Sequence, residues 1–183
     1  KNNYSVLVNK KALDYFNSLS RKDKEKLTST IIAGLPGAEK SFSLENFQQF
    51  IDKYKFIDRN KLKSNLHYFL KRVLPVAISL GTRLAIHPDD PPFELFGLPR
   101  IISTIEDYRW LFSSFPSKSN GITLCSGSLG SRKNNYTINF IKEFGNRVYF
   151  THLRNVKLNI YDRSFYEIGH LSGGTEMYSI VKA

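Results

Sequence analysis

Cysteine is almost missing from this sequence. One residue of 183, Cys125, excludes an internal disulfide and suits a reducing compartment. Long apolar runs are missing too. None approaches the ~18 residues that a membrane span needs, and the opening Lys-Asn-Asn-Tyr lacks the apolar core of a signal peptide. These absences point to the cytoplasm and to no membrane partner. Acidic residues are few, 16 against 27 Lys and Arg, for a net charge of +11. Attraction to nucleic-acid phosphates is one reading of that excess. Yet the basic residues are spread along the chain, and the densest cluster, residues 21–26, alternates with acids as a solvated helix face does. The spread argues against nucleic acid, while a positive field suits a small anionic substrate. Neither a Walker ending nor a nucleophile elbow occurs.

What is there reads as a globular protein, with 41% hydrophobic and 23% charged residues. The length fits one domain with a real core over residues 1–183. A short extended piece is expected at 4–8, a helix around 11–19, and a charged helix capped by Ser20 through 28. The β-branched run 30–33 reads as a strand, and Gly34-Leu35-Pro36-Gly37 as the loop after it. Ser43 caps a helix over 44–54 and Asp58 caps the next, whose apolar residues Leu62, Leu66, Phe69, Leu70, Val73 and Leu74 fall at helical spacing. Pro75 kinks that helix and Gly81 stops it. Strands follow at 83–86, 121–125 and 147–152, with helices at 105–112, capped by Ser103 or Thr104, and at 134–144. A last helix is expected at 175–182. Strand and helix alternate, which predicts an α/β fold with a parallel sheet.

Residues 84–92, Leu-Ala-Ile-His-Pro-Asp-Asp-Pro-Pro, organise the rest. An apolar run stops at His87, and Pro88 forbids further pairing because it has no N–H. Two later strands repeat the plan, one ending in Cys125 before a Gly/Ser loop, the other in His152. Imidazole nitrogen and thiolate sulfur are good ligands for a first-row divalent metal, and softness alone leans to zinc or iron. Singly, each residue has a plainer explanation in the core; their common placement favours a metal site. Asp89 and Asp90 either orient the imidazole, bind substrate hydroxyls, or cap the turn between the prolines. Arg154, two residues after His152, is a candidate for a bidentate grip on a substrate carboxylate, and a surface ion pair is the alternative. Arg100 is a weaker candidate of the same kind. Residues 126–131, Ser-Gly-Ser-Leu-Gly-Ser, read as a tight turn or an anion-binding turn. His67 reads as surface or filler, and His170 as able to reach the same face.

These stretches carry a resemblance. Ile31-Ile32-Ala33-Gly34-Leu35-Pro36-Gly37, Ala85-Ile86-His87-Pro88-Asp89-Asp90-Pro91-Pro92, Phe96-Gly97-Leu98-Pro99-Arg100-Ile101, Gly121-Ile122-Thr123-Leu124-Cys125-Ser126-Gly127-Ser128 and His152-Leu153-Arg154-Asn155-Val156 resemble mannonate dehydratase across essentially the whole chain. The resemblance implies a TIM (β/α)8 barrel of the xylose-isomerase-like type, here incomplete. It implies Mn2+ or Fe2+ held by His87, Cys125 and His152, and dehydration of D-mannonate to 2-keto-3-deoxy-D-gluconate in hexuronate breakdown. It also implies a further metal-binding Asp, in an Arg-Pro-Asp-His-Gly stretch, and a catalytic Tyr after it. Neither stretch occurs in this sequence, so the catalytic acid and base are unassigned and the chain is expected to be a central-to-late piece of the enzyme. Two further departures are Gly174, where the family usually has an acidic residue, and Tyr166, where a His is common.

Three other readings remain open at this point. One keeps barrel and metal but makes the enzyme a sugar isomerase. A second makes it an endonuclease, against which four His are few. The third is a catalytically incomplete fragment, whose open sheet edge favours association, and hence a homo-oligomer.

Overall fold

The described part of the first quarter of the chain is mostly helical. The computed structural model describes residues 6–33, 43–159 and 164–183; the expected loop at 34–37 and the first residues of the expected extended piece lie outside them. One compact unit comprises Lys1–Ile57 with Phe96–Leu98, the other Asp58–Leu95 with Pro99–Ala183. The first unit holds α1 (Val6–Ser18), α2 (Arg21–Ala33) and α3 (Leu44–Lys53). Helix α1 thus begins inside the stretch expected to be extended. Ser20 caps α2, accepting the Asp23 N–H at 3.2 Å and donating to its carboxylate at 2.6 Å. Ser43 caps α3, accepting the Asn46 N–H at 3.2 Å. The β-branched run at 30–33 is not a strand but the last turn of α2. Thr30 bonds back to the Lys26 carbonyl at 2.9 Å, so the helix already under way overrides a weak β-propensity.

The second unit opens with α4 (Arg59–Ser79), which runs through Pro75. Asp58 accepts the Lys61 N–H at 2.7 Å. Leu70, Leu74 and Ala77 are buried, spaced as one helical face. Gly81 ends the turn at φ +63°, a conformation that side-chain-bearing residues avoid. Then come β1 (Leu84–Ile86), α5 (Ile105–Ser114), β2 (Asn120–Cys125), the short α6 (Ser126–Gly130), α7 (Thr137–Phe144) and β3 (Val148–His152). Thr104 and Asp107 form a reciprocal capping box at the start of α5.

Strands β1, β2 and β3 pair in that order, all parallel. The central strand β2 is buried at every position, as its near-continuous apolar reading requires. Ile122 and Leu124 join the core with Leu70 and Leu74 of α4, Tyr108 and Leu111 of α5, and Phe140 and Phe144 of α7. The two-residue period of a strand puts Thr123 and Cys125 on the opposite face. The tail of the unit departs from the alternating plan. Strands β4 (Asn155–Leu158) and β5 (Phe165–Ile168) form an antiparallel pair, and α8 (Met177–Lys182) follows. The fold is therefore mixed α/β, with three parallel strands and an antiparallel ribbon among the described residues.

Candidate metal centre

Three strand ends converge here. Strand β1 pairs only through Ile86, opposite Ile122, so His87 is the first residue beyond the ladder. Cys125 and His152 are the last residues of β2 and β3 and are direct register partners. One donor atom from each of His87, Cys125 and His152 lies within 4.8 Å of the other two. The imidazole rings of His87 and His152 are 5.9 Å apart between centroids, and Cys125 Sγ lies 3.5 Å from His152 Nδ1. Bonds of about 2.1 Å to nitrogen and about 2.3 Å to sulfur at a tetrahedral angle would put two such donors about 3.6 Å apart. The donor set fits a divalent first-row ion, with two imidazoles, one sulfur and no cationic side chain among the three.

Local bonds orient each donor. His87 Nδ1 lies 2.7 Å from the Pro88 carbonyl. A carbonyl only accepts, so Nδ1 carries the proton and Nε2 keeps the free lone pair. Cys125 is buried and its Sγ receives the Ser128 hydroxyl at 3.1 Å and the Ser128 N–H at 3.4 Å. Ser126 Oγ donates to the Arg154 carbonyl at 2.7 Å and accepts the Arg154 N–H at 3.0 Å, which fastens the segment after β2 to the segment after β3. Beneath the trio, the buried Tyr108 hydroxyl donates to the Ile86 carbonyl at 3.3 Å. Burial, with the negative charges of Asp89, Cys125 and Asp107, pushes this phenol well above its usual range, so it stays neutral.

The candidate substrate contacts divide. Arg154 lies beside the trio, its side chain only 19% exposed, 2.8 Å from Asp90 and 3.4 Å from Glu167. The Asp90 contact is an ion pair without hydrogen-bond alignment, because Arg154 Nε and Nη2 are buried with no hydrogen-bond acceptor among the described residues. Gly127 makes room for this side chain; a Cβ there would meet Arg154 Nε at 2.1 Å. Asp89 is turned to the backbone of residues 101–103, where its Oδ2 accepts from Ile101 N at 2.8 Å, Ile102 N at 2.7 Å and Ser103 Oγ at 3.0 Å. That is the turn-capping arrangement, although the carboxylate holds a longer loop than the one between the prolines.

Other sequence candidates fall elsewhere. The run at 126–131 is the short helix α6 closed by Ser131, not an open turn. His67 packs against Phe115, ring centroids 4.7 Å apart and tilted, on the flank of α4. His170 reaches the Leu153 carbonyl at 3.1 Å and is not one of the three clustered donors. Arg100 is half-buried, with Nε unpartnered among the described residues. Sequence reasoning missed the separate tasks of Ser126 and Ser128. The available signal was their placement one and three residues after a strand-ending Cys.

The model of the family described as D-mannonate dehydratase (UxuA) matches residues 5–183. This chain belongs to that family. It is 43% identical over 180 residues to a mannonate dehydratase of Marinomonas sp. (strain MWYL1), covering 98% of this chain and 46% of that protein. A mannonate dehydratase of Saccharophagus degradans is 44% identical over 180 residues, covering 98% and 45%. The chain spans about half the length of the curated relatives it matches. Among solved structures, the mannonate dehydratase of Streptococcus suis serotype 2 is similar with a TM-score of 0.65 and 41% identity, over 69% of this chain and 37% of that one.

Proposed function

We propose that this chain is the metal-binding part of a mannonate dehydratase, a hydro-lyase that converts D-mannonate to 2-keto-3-deoxy-D-gluconate. The observation that carries the reading is the convergence of His87, Cys125 and His152 within 4.8 Å in a member of this family. These three residues would hold Mn2+ or Fe2+. Once bound, the ion would supply Lewis-acid stabilisation of negative charge on substrate oxygens as the proton α to the carboxylate is lost. Arg154 would attract the substrate carboxylate through its guanidinium charge, which Asp90 and Glu167 hold in place. Asp89 would fix the loop after His87 through Oδ2 and offer Oδ1 to a substrate hydroxyl. The Pro88 carbonyl would keep the His87 ring in one tautomer.

The parallel order β1-β2-β3, with every donor at a strand's C-terminal end, supports placing these strands in a (β/α)8 barrel, where that face carries the chemistry. A sulfur ligand suits the reducing cytoplasm. Among the described residues strand β3 lies at the edge of the sheet, with Phe150 62% exposed, which favours association with a second copy. Calorimetry with D-mannonate tests the function. The metal-loaded protein is expected to bind it, and His152→Ala and Arg154→Ala are expected to lose binding. Equal binding of an unrelated monocarboxylate, or none of D-mannonate, would contradict the reading.

A further inference from the structure

We infer that Ser128 is a positioning residue for the Cys125 sulfur, fixing the direction of its metal-binding lone pair and lowering its donor strength. The inference rests on the reading of His87, Cys125 and His152 as a metal site. Ser128 reaches Sγ twice, through its hydroxyl at 3.1 Å and its backbone N–H at 3.4 Å. Both residues are completely buried, so solvent does not compete for the sulfur.

The neighbourhood makes this arrangement unlike an ordinary helix cap. Cys125 occupies the capping position of α6, accepting the Ser128 N–H with its side chain. Ser, Thr, Asp and Asn are the usual residues there, because oxygen accepts more strongly than sulfur. A cap alone would not select sulfur. The Ser128 hydroxyl is equally out of pattern. The hydroxyls of Ser29, Ser79, Ser113 and Ser131 each donate to the backbone carbonyl three residues earlier. The Ser128 hydroxyl goes three residues back too, but to the side chain.

Two donors on one sulfur have a chemical consequence. They occupy lone-pair density that the metal does not use and draw charge from the sulfur, which lowers the energy of its remaining electrons. Hydrogen bonds to metal-bound sulfur tune such centres in this way, and outer partners of ligands set their orientation. Ser128 therefore weakens sulfur-to-metal charge donation while holding the ligand for capture of the ion.

Cobalt(II) is the probe, because a thiolate bound to it gives a near-ultraviolet charge-transfer band. Wild type, Ser128→Ala and Ser131→Ala are loaded with Co2+, and band position is recorded beside a thermal melt. Ser128→Ala is expected to shift the band to lower energy, as a sulfur relieved of one hydrogen bond donates more strongly. Ser131→Ala loses the neighbouring bond to the Ser128 carbonyl but keeps both donors, and its band is expected at the wild-type position. An unmoved band in folded Ser128→Ala overturns the inference and leaves the metal site standing. Absence of any sulfur-to-cobalt band in wild type overturns the metal site and the inference with it. A second measurement needs no variant. Exchange into D2O is expected to shift the cobalt–sulfur stretching vibration of the wild type, and an unchanged vibration after full amide and hydroxyl exchange would overturn the role of Ser128.

Discussion

Cys125 and His152 face each other as register partners at the ends of two parallel strands, with Sγ and Nδ1 3.5 Å apart. Neighbouring strands lie about 4.8 Å apart, so the sheet itself brings two of the three donors together. His87, one residue beyond β1, supplies the third from the other side of the central strand. Preorganisation of this kind is stronger than a site built on loops alone. It has consequences for residues that never touch an ion.

Gly127→Ala is expected to damage the substrate side of the site and spare the metal side. A Cβ at 127 would lie 2.1 Å from Arg154 Nε and 2.9 Å from Arg154 Cβ, so the side chain must move bodily. A stability loss of about 1–3 kcal/mol is expected from the overpacking. Binding of D-mannonate should fall at least about tenfold, the scale of a lost charged contact. Calorimetry beside metal analysis checks it; unchanged affinity would mean that Arg154 does not hold the carboxylate.

Asp107 makes acid stability depend on one carboxylate. Burial by itself would raise its pKa, but the Ser103 N–H and the Lys63 and Arg59 cations outweigh burial and hold it below the usual value. It pairs with Lys63 at 3.1 Å and with Arg59, and its side chain is 3% exposed. A depressed folded pKa gives stability that is present above the unfolded value of about 3.9 and is lost as pH falls through the lower folded value. Asp107→Asn should therefore lose about 2 kcal/mol at neutral pH, because the ion pairs to Lys63 and Arg59 are broken while the amide oxygen can still accept from Ser103 and Thr104. Its Tm should then fall less steeply than wild type below about pH 4. Parallel acid limbs would contradict this.

Much of this was legible in the sequence, for identifiable reasons. Ser20, Ser43, Asp58 and Thr104 all cap the helices expected of them, because a capping side chain needs only its own next three residues. The strand ends at His87, Cys125 and His152 were legible because Pro88 and the Gly/Ser run stop the apolar pattern locally. The ribbon of β4 and β5 was not. Asn155 and Val156 are neighbours in β4 and both buried, and Tyr166 and Glu167 are neighbours in β5 and both exposed, so neither strand shows a clean alternation. The task of Asp89 was hidden because its partners lie 12 to 14 residues away in a loop. The run 30–33 misled because β-branched residues say nothing of a helix already propagating from Arg21.

Asn155→Ala is expected to loosen residues 170–175 without touching the donors. Asn155 Nδ2 donates to the His170 carbonyl at 2.6 Å and the Thr175 carbonyl at 2.8 Å, and Oδ1 accepts from Thr175 N at 3.1 Å. Gly173 leaves the space for it, since a Cβ there would lie 2.1 Å from Oδ1. Loss of a buried, fully bonded amide should cost about 3 kcal/mol. Amide hydrogen exchange in 170–175 should accelerate while the core of β2 remains protected. Uniform acceleration across the chain would instead make Asn155 a global core residue.

Metal content is the most direct measurement on the central claim. Manganese, iron and zinc are counted per chain in wild type and in His152→Ala, each purified after growth with the three metals supplied. About one manganese or iron per wild-type chain, lost in the variant, is the result expected of an ion held by His87, Cys125 and His152. No metal in the wild type, or the same content in His152→Ala, would contradict it.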